Sequence, residues 1–303
     1  MIRLATNGSG ILPGGEISVD LGNRLASEAS KTAEHVLNMC IRALDYCPPV
    51  NLEFGDYLRA IITADRDLVR DDNRGYRVAF IDAFREREIF PYEVLRLAED
   101  SLLWEPPPME EALRDLFSEI IPKLKLTWGL TIERQSAFSV SQKNGAILQK
   151  WLTKPRDAQR RLLRQILGFE EPAKKWTGQI GDQTFTGEIR PIETHSVRVC
   201  RRTAPDGSSK PTLVIELTQT LRADPNQDRY RGGCTLLFDL NTRRLNYLVR
   251  KRLLSQWSIE NQMKVQLAAM ARAAERGQVF YPPGDPAGRG KAFAIMHRCG
   301  RQP

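Results

Sequence analysis

The chain has 303 residues, of which 41% are hydrophobic and 27% charged, with a mean hydropathy of -0.40 and a formal net charge of +8 at pH 7. That length supplies about two cores of ordinary size without a disulfide or metal staple, and no apolar run reaches the roughly 18 residues of a membrane span. Met1–Asp20 holds one basic side chain and a broken apolar stretch, unlike a secretory or transit leader, so the expected location is cytoplasmic, with no membrane partner.

The first half reads as helices. Between about Asp20 and Cys47 the apolar positions Val36, Leu37, Cys40, Ile41 and Leu44 recur at helical spacing, and Pro48-Pro49 stops the run. Phe54 to Val69 places Leu58, Ile61, Ile62 and Leu68 on one side. Gly75 to Glu88 stacks Tyr76, Phe80 and Phe84 at i, i+4, i+8, with Ile81 beside them. Pro91 suits the first position of a short helix through Asp100. Trp104-Glu-Pro-Pro-Pro108 is a stiff extended connector, followed by helical patterns over Met109–Leu126 and Pro155–Phe169, with Thr131–Lys143 open between types.

The pattern changes after Gly178. Thr184–Ile189, His195–Arg202, Thr212–Leu221, Cys234–Leu240 and Leu245–Arg250 are short β-type runs divided by turn residues, which predicts an antiparallel β-meander. From Ser258 to Gly277 the helical period returns with Ile259, Met263, Leu267 and Met270, and the tail from Pro282 predicts disorder. The fold class is therefore α+β. The expected organisation is a helical domain over 1–105, a helical connector region over 106–180, a basic β-rich domain with a C-terminal helix over 181–280, and a disordered tail over 281–303.

Charge divides along the same line. Residues 1–150 hold 18 Lys and Arg against 23 Asp and Glu, a net of -5, whereas residues 151–303 hold 27 against 14, a net of +13. The candidate polyanion or partner surface is Arg156, Arg160, Arg161 and Arg164 on one helix, with Arg198, Arg201, Arg202, Arg243, Arg244, Arg250, Lys251 and Arg252 around strand ends. Trp151, Trp176, Tyr230, Tyr247 and Trp257 lie among them, so nucleic acid is one reading, since phosphate neutralisation and base stacking need those residue types. The other is docking of these cations on the acidic half or on a protein partner.

Chemistry-bearing motifs are sparse. Cys40, Cys47, Cys200, Cys234 and Cys299 contain no C-x-x-C pair and read as reduced, buried thiols. His35, five residues before Cys40 on one helix, reads as packing. Asp65, Asp67, Asp71 and Asp72 lack the Gly and terminal Glu of a calcium loop, which leaves a solvated helix end. Gly8, Gly10, Gly14 and Gly15 lack the Lys-Ser/Thr of a phosphate loop.

Four stretches carry a likeness to a known family: Ile41-Arg-Ala-Leu-Asp-Tyr46, Asn51-Leu-Glu-Phe-Gly-Asp-Tyr-Leu-Arg-Ala60, Ala64-Asp-Arg-Asp-Leu68 and Val78-Ala-Phe-Ile-Asp-Ala-Phe84. Their order and spacing resemble the C-terminal helical domain of bacterial thermolysin-like (gluzincin) metallopeptidases. The likeness starts at Thr6-Asn-Gly-Ser-Gly-Ile-Leu-Pro, and Arg231–Asp239 is similar to a β-rich extension of that family, so it spans the chain to about residue 253. Such enzymes need two His four apart on a helix with a Glu beside the first, and a further Glu ligand. His35, His195 and His297 are followed by Val, Ser and Arg, so none opens that motif. The resemblance implies a non-catalytic C-terminal fragment or degenerate relative, with no catalytic residue, no metal ligand and no cofactor of its own. Zinc is expected only in a full-length member. The expected role is support, and binding of substrate or of an upstream catalytic half. The alternative is an independent basic module for nucleic acid or another acidic partner.

Overall fold

The computed structural model describes residues 18–92, 94–126, 133–153, 158–180, 183–203, 207, 209–224 and 228–255. The helices are α1 (Val19–Ala43), α2 (Phe54–Leu68), α3 (Tyr76–Arg85), a single turn α4 (Glu99–Leu102), α5 (Glu110–Ser118), α6 (Arg134–Leu152) and α7 (Ala158–Leu167), with 3-10 turns at Leu44–Tyr46 and Ile121–Lys123. Six strands follow: β1 (Ala173–Ile180), β2 (Gln183–Ile189), β3 (Glu193–Thr203), β4 (Ser209–Asp224), β5 (Asp228–Asp239) and β6 (Arg244–Lys251).

The longest strand, β4, organises the sheet. One edge pairs with β5 along nearly its whole length, from Thr212 opposite Asp239 to Ala223 opposite Asp228. The other edge is shared, with Ser209–Thr218 bonded to β3 and Leu221–Asp224 to β2. All pairings are antiparallel, β1 lies outside β2 and β6 outside β5. A plain meander is therefore corrected: β2 and β3 lie end to end on one edge of β4, so β3 is not an intervening strand. At the break, Arg190 N donates to the Thr220 carbonyl at 2.9 Å. The strand pattern also begins earlier than Gly178, because β1 starts at Ala173.

Alternation along the strands gives the sheet two different faces. Leu213, Ile215 and Leu217 of β4, with Cys234, Leu236 and Phe238 of β5, join Leu113 and Phe117 of α5, Leu148 and Trp151 of α6, and Leu163 and Leu167 of α7 in the largest core. The opposite face contributes Leu237 and Val249 to a second core with Met39, Ala43 and Tyr46 at the end of α1, and Ala60, Ile61 and Ala64 of α2. Helices up to residue 105 and helices from Glu110 onward thus cover opposite faces of one sheet. A third cluster, Leu58, Ile62, Ile81 and Leu102, ties α2, α3 and α4 together.

Local chemistry accounts for the ends of these elements. Ser18 Oγ accepts from Leu21 N at 3.3 Å and starts α1. Asp72 accepts from Tyr76 N and Arg77 N at 2.9 and 2.8 Å, which starts α3. Asp239 Oδ1 accepts from Asn241 N and Thr242 N at 2.8 and 3.0 Å, closing the β5–β6 turn. The helix read over Pro91–Asp100 is absent from the residues described there apart from α4. Thr131–Lys143 resolves as helix from Arg134 onward, and the Ser258–Gly277 pattern and the 281–303 tail lie outside the described residues.

Part of the α1 stripe faces outward: Leu37, Ile41 and Leu44 are 57%, 54% and 56% exposed, and the core takes Met39, Ala43, Tyr46 and Cys47. One expectation is overturned: Asp65, in the last turn of α2, is not part of a solvated helix end, whereas Asp71 beyond the helix is exposed. Asp65 is buried against Arg77, whose Nη1 donates to Asp65 Oδ2 at 2.8 Å and to the Val69 carbonyl at 2.9 Å. Burial raises the Asp65 carboxyl above its ordinary range, against the lowering effect of Arg77. Arg77 Nη2 also donates to the Arg70 carbonyl at 3.2 Å, and its Nε lies 3.0 Å from Glu99 Oε1. One buried guanidinium thereby gathers α2, α4 and the loop before α3. Arg77→Ala strips a buried carboxylate and two carbonyls of their donor and is expected to lower unfolding stability by about 3–5 kcal/mol. Denaturant titration checks this, and a loss under about 1 kcal/mol would contradict the closed network.

Candidate functional site

The sheet face turned to α1 and α2 carries charge where a core face is ordinarily apolar. Arg198 and Arg202 sit four apart on β3, and Lys210 and Glu216 lie on β4, with Arg202 opposite Lys210 in register. The 3-10 turn that ends α1 delivers Asp45 and Tyr46 onto them, and the last turn of α2 delivers Asp67. Arg198 Nη2 contacts Asp45 Oδ1 at 2.9 Å and Glu216 Oε1 at 2.8 Å. Arg202 Nη2 reaches Asp45 Oδ2 at 3.4 Å, and its Nη1 donates to Tyr46 Oη at 2.7 Å. Tyr46 Oη donates onward to Asp67 Oδ2 at 2.6 Å, and Lys210 Nζ lies 3.4 Å from Asp67 Oδ1. Three cations and three carboxylates therefore balance around a buried tyrosine. Tyr247 meets the Tyr46 ring edge-on at 5.4 Å, and Thr235 Oγ1 donates to the Cys47 carbonyl at 2.7 Å. A separate pair, Lys251 Nζ with Asp56 Oδ2 at 2.7 Å, fastens the end of β6 to the start of α2.

The direction of the pKa shifts decides what this cluster can do. Burial pushes the Tyr46 phenol well up, with Arg202 pulling the other way, and burial likewise raises Tyr247. Burial lifts the Cys200 thiol to about 11 and the Cys47 thiol to about 12. Each shift favours the neutral form, the reverse of what a nucleophile or base needs at neutral pH. The arrangement fastens two layers and supplies no activated group. Among the described residues, no three His, Cys, Asp or Glu side chains are grouped to hold a metal ion.

The structure divides the twelve basic residues of the expected surface. Arg198, Arg202 and Lys251 face inward onto carboxylates of the helical layer. Arg164 is buried with Nη2 2.9 Å from Glu171 Oε1, and Arg250 donates to the Ile166 carbonyl. Arg161, Arg201, Arg243, Arg244 and Arg252 are exposed. Arg156 lies outside the described residues, and Arg160 lies on α7. The exposed cations do not gather on one surface. Arg201, Arg243 and Arg244 stand at the end of the sheet where Asn241 and Ser209 meet, whereas Arg252 follows β6 at the other end. Eight residues of strand separate Arg244 from Arg252, roughly 25 Å and several Debye lengths.

Asp45, Asp67, Lys210 and Glu216 were not among the expected site residues. The available signal was the period of β3: Arg198, Cys200 and Arg202 share one face, while Val197 and Val199 share the other, so two of the arginines had to meet a covering layer. His35 stacks on Tyr76 with centroids 4.3 Å apart, a packing contact, and His195 is exposed on β3. His297 lies outside the described residues. No family model matches the chain, and no curated protein or solved structure matches it.

Asp45→Ala leaves Arg198 and Arg202 short of a counter-charge and is expected to cost about 2–4 kcal/mol of unfolding stability, against within about 0.5 kcal/mol for Arg161→Ala or Arg244→Ala. Equal effects in all three variants would show that the interlayer pairs are not the fastening. Thiol chemistry offers an independent check. At pH 8 a maleimide is expected to modify Cys47, Cys200 and Cys234 only after denaturation, because burial raises all three thiols. Native labelling at the rate of a free cysteine would place these residues elsewhere.

Proposed function

We propose that this chain is a non-catalytic docking body related to the C-terminal portion of gluzincin metallopeptidases, whose helical layer presents a surface to a protein partner, the zinc-bearing half of such an enzyme. The observation that carries the reading is the outward stripe of α1. Leu37, Ile41 and Leu44 recur at i, i+4, i+7 and stay exposed, while Met39, Ala43 and Tyr46 on the other side of the same helix are fully buried. A row of large aliphatic side chains on a firmly held helix is the form of a protein-binding surface. Four of the stretches that resemble the family, Ile41–Tyr46, Asn51–Ala60, Ala64–Leu68 and Val78–Phe84, belong to this layer.

The polyanion reading has weaker support. It requires cations spread along a continuous track. Here Arg198, Arg202 and Lys251 are matched to internal carboxylates, and of the exposed arginines Arg161 lies on α7, Arg201, Arg243 and Arg244 at one end of the sheet and Arg252 at the other.

The purified chain is expected to retain no zinc after dialysis against a mild chelator and to leave casein uncut. One equivalent of bound zinc with chelator-sensitive cleavage would sink the proposal. A separately produced H-E-x-x-H catalytic half from the same genome, at a hundred times its Kd, is expected to stabilise the wild-type chain by about 2.7 kcal/mol and to leave Ile41→Asp unchanged. Strong retention on heparin, weakened by Arg201→Ala or Arg244→Ala, together with no response to the catalytic half, would transfer the role to the basic surface.

A further inference from the structure

The apolar surface of the helical layer does not end with the α1 stripe. At the start of α2, Phe54 is 71% exposed, and Phe90 in the loop between α3 and α4 is 60% exposed. The loop and the helix touch through their backbones. A Cβ placed on Gly55 would come 2.6 Å from Pro91 Cα and 3.1 Å from the Phe90 carbonyl oxygen, so only glycine lets the Phe90-Pro91 turn lie against the first turn of α2. The turn is also held from behind, since Ile89 N donates to the Phe84 carbonyl at 3.0 Å and Pro91 is buried. Two aromatic rings are thereby held out to solvent on a fixed base.

The course of α1 and α2 joins these rings to the stripe. His35 on α1 stacks on Tyr76, and the neighbouring Arg77 holds Asp65 in the last turn of α2. Five residues further along α1, the Cys40 carbonyl accepts from Tyr57 Oη at 2.9 Å, in the first turn of α2. The two helices are therefore antiparallel, and α1 advances toward Leu44 as α2 is followed back toward Phe54. Phe54 precedes Tyr57 by about 4.5 Å of helix, and Leu44 follows Cys40 by about 6 Å. Both steps have the same direction, so Phe54 stands level with the end of the stripe, and Leu37, Ile41, Leu44, Phe54 and Phe90 form one continuous surface. Covering all five side chains removes several hundred Å² of apolar surface from water, of the order of the ~800 Å² that each partner gives to a stable interface. The α1 stripe alone falls well short of that.

We infer that Phe54 and Phe90 are the aromatic anchors of the α1 docking surface and enter an apolar pocket of the same partner. This rests on the proposed docking role of α1, because the rings take their occupant from the stripe they continue. Calorimetric titration of the full chain with the separately produced H-E-x-x-H half tests it. Phe54→Ser and Phe90→Ser are each expected to weaken binding at least about tenfold, and Phe138→Ser, which removes an equally exposed ring from α6 in the opposite layer, by less than about twofold. All three rings are exposed, so the unfolding midpoints are expected to stay at the wild-type value. Hydroxyl-radical footprinting needs no substitution, and in the wild-type complex Phe54 and Phe90 are expected to lose reactivity while Phe138 keeps it. Loss of binding in Ile41→Asp with wild-type affinity in both anchor variants overturns the inference and leaves the docking role standing. No binding by the wild-type chain overturns both. Equal losses in Phe138→Ser and Phe90→Ser would show unspecific apolar association and overturn the inference. A wild-type chain that sediments as a dimer, and as a monomer only after Phe90→Ser, would assign the surface to a second copy and overturn it equally.

Discussion

The rotation of α1 about its own axis is set by Asp45 and Tyr46. At about 100° per residue, Met39, Ala43 and Tyr46 fall on one side of the helix and its 3-10 extension, and Leu37, Ile41 and Leu44 on nearly the opposite side. Hydrophobicity alone would bury the leucines and isoleucine. The sheet beneath, however, presents Arg198 and Arg202, and uncompensated guanidinium groups at that depth cost more than an exposed aliphatic stripe. Asp45 must therefore face inward, 2.9 Å from Arg198, and Tyr46 must follow to bridge Arg202 and Asp67. The side chains displaced by that requirement form the outer surface.

The same constraint draws on the difference in charge between the two halves of the chain. Arg198 pairs with Asp45, Lys210 with Asp67 and Lys251 with Asp56, each contact joining sequence positions far apart. Such pairs add little net stability, because desolvation offsets most of the attraction, but they penalise every other placement of the layer. Sliding α2 by one turn would move Asp56 from Lys251 and Asp67 from Lys210 together. The apolar contacts of Ala60, Ile61 and Ala64 with Leu237 and Val249 would tolerate that slip far better.

Local features of this fold were legible in the sequence and long-range ones were not. α2 begins at the expected Phe54 and buries the expected Leu58, Ile61, Ile62 and Leu68, because it is covered on two sides, Ile61 meeting the sheet and Leu58 and Ile62 meeting α3 and α4. β2 to β6 appear where β-branched runs lie between turn residues. The sharing of one edge of β4 between β2 and β3 leaves no periodic trace, since pairing partners are chosen across the sheet. β1 was hidden by its composition: Ala173-Lys-Lys-Trp-Thr-Gly-Gln-Ile180 is polar, as suits a strand outside β2. The arginines were visible as a cluster but not as two sets. Arg201 points to solvent while its neighbour Arg202 is buried, a distinction set by strand parity and unseen when charges are summed over a window.

A cluster of titratable groups with displaced pKa values is often the mark of a reactive centre, and here the sign of the displacement argues otherwise. Tyr46, Tyr247, Cys47 and Cys200 are all held in their neutral forms by burial. A site that worked by proton transfer near pH 7 would need at least one of them moved the other way. The polar interior therefore acts mechanically, holding α1 and α2 on the sheet at fixed rotation and register. On the proposed docking role, recognition falls to the exterior, where two kinds of signal compete. Exposed charge stands at both ends of the sheet, with Arg201, Arg243 and Arg244 at one and Arg222, Arg231 and Arg252 toward the other. Exposed apolar surface is ordered, as a helical stripe on α1 and an aromatic pair at the start of α2. Recognition by apolar contact depends on side chains held in place, and the buried ion pairs supply that rigidity directly beneath them.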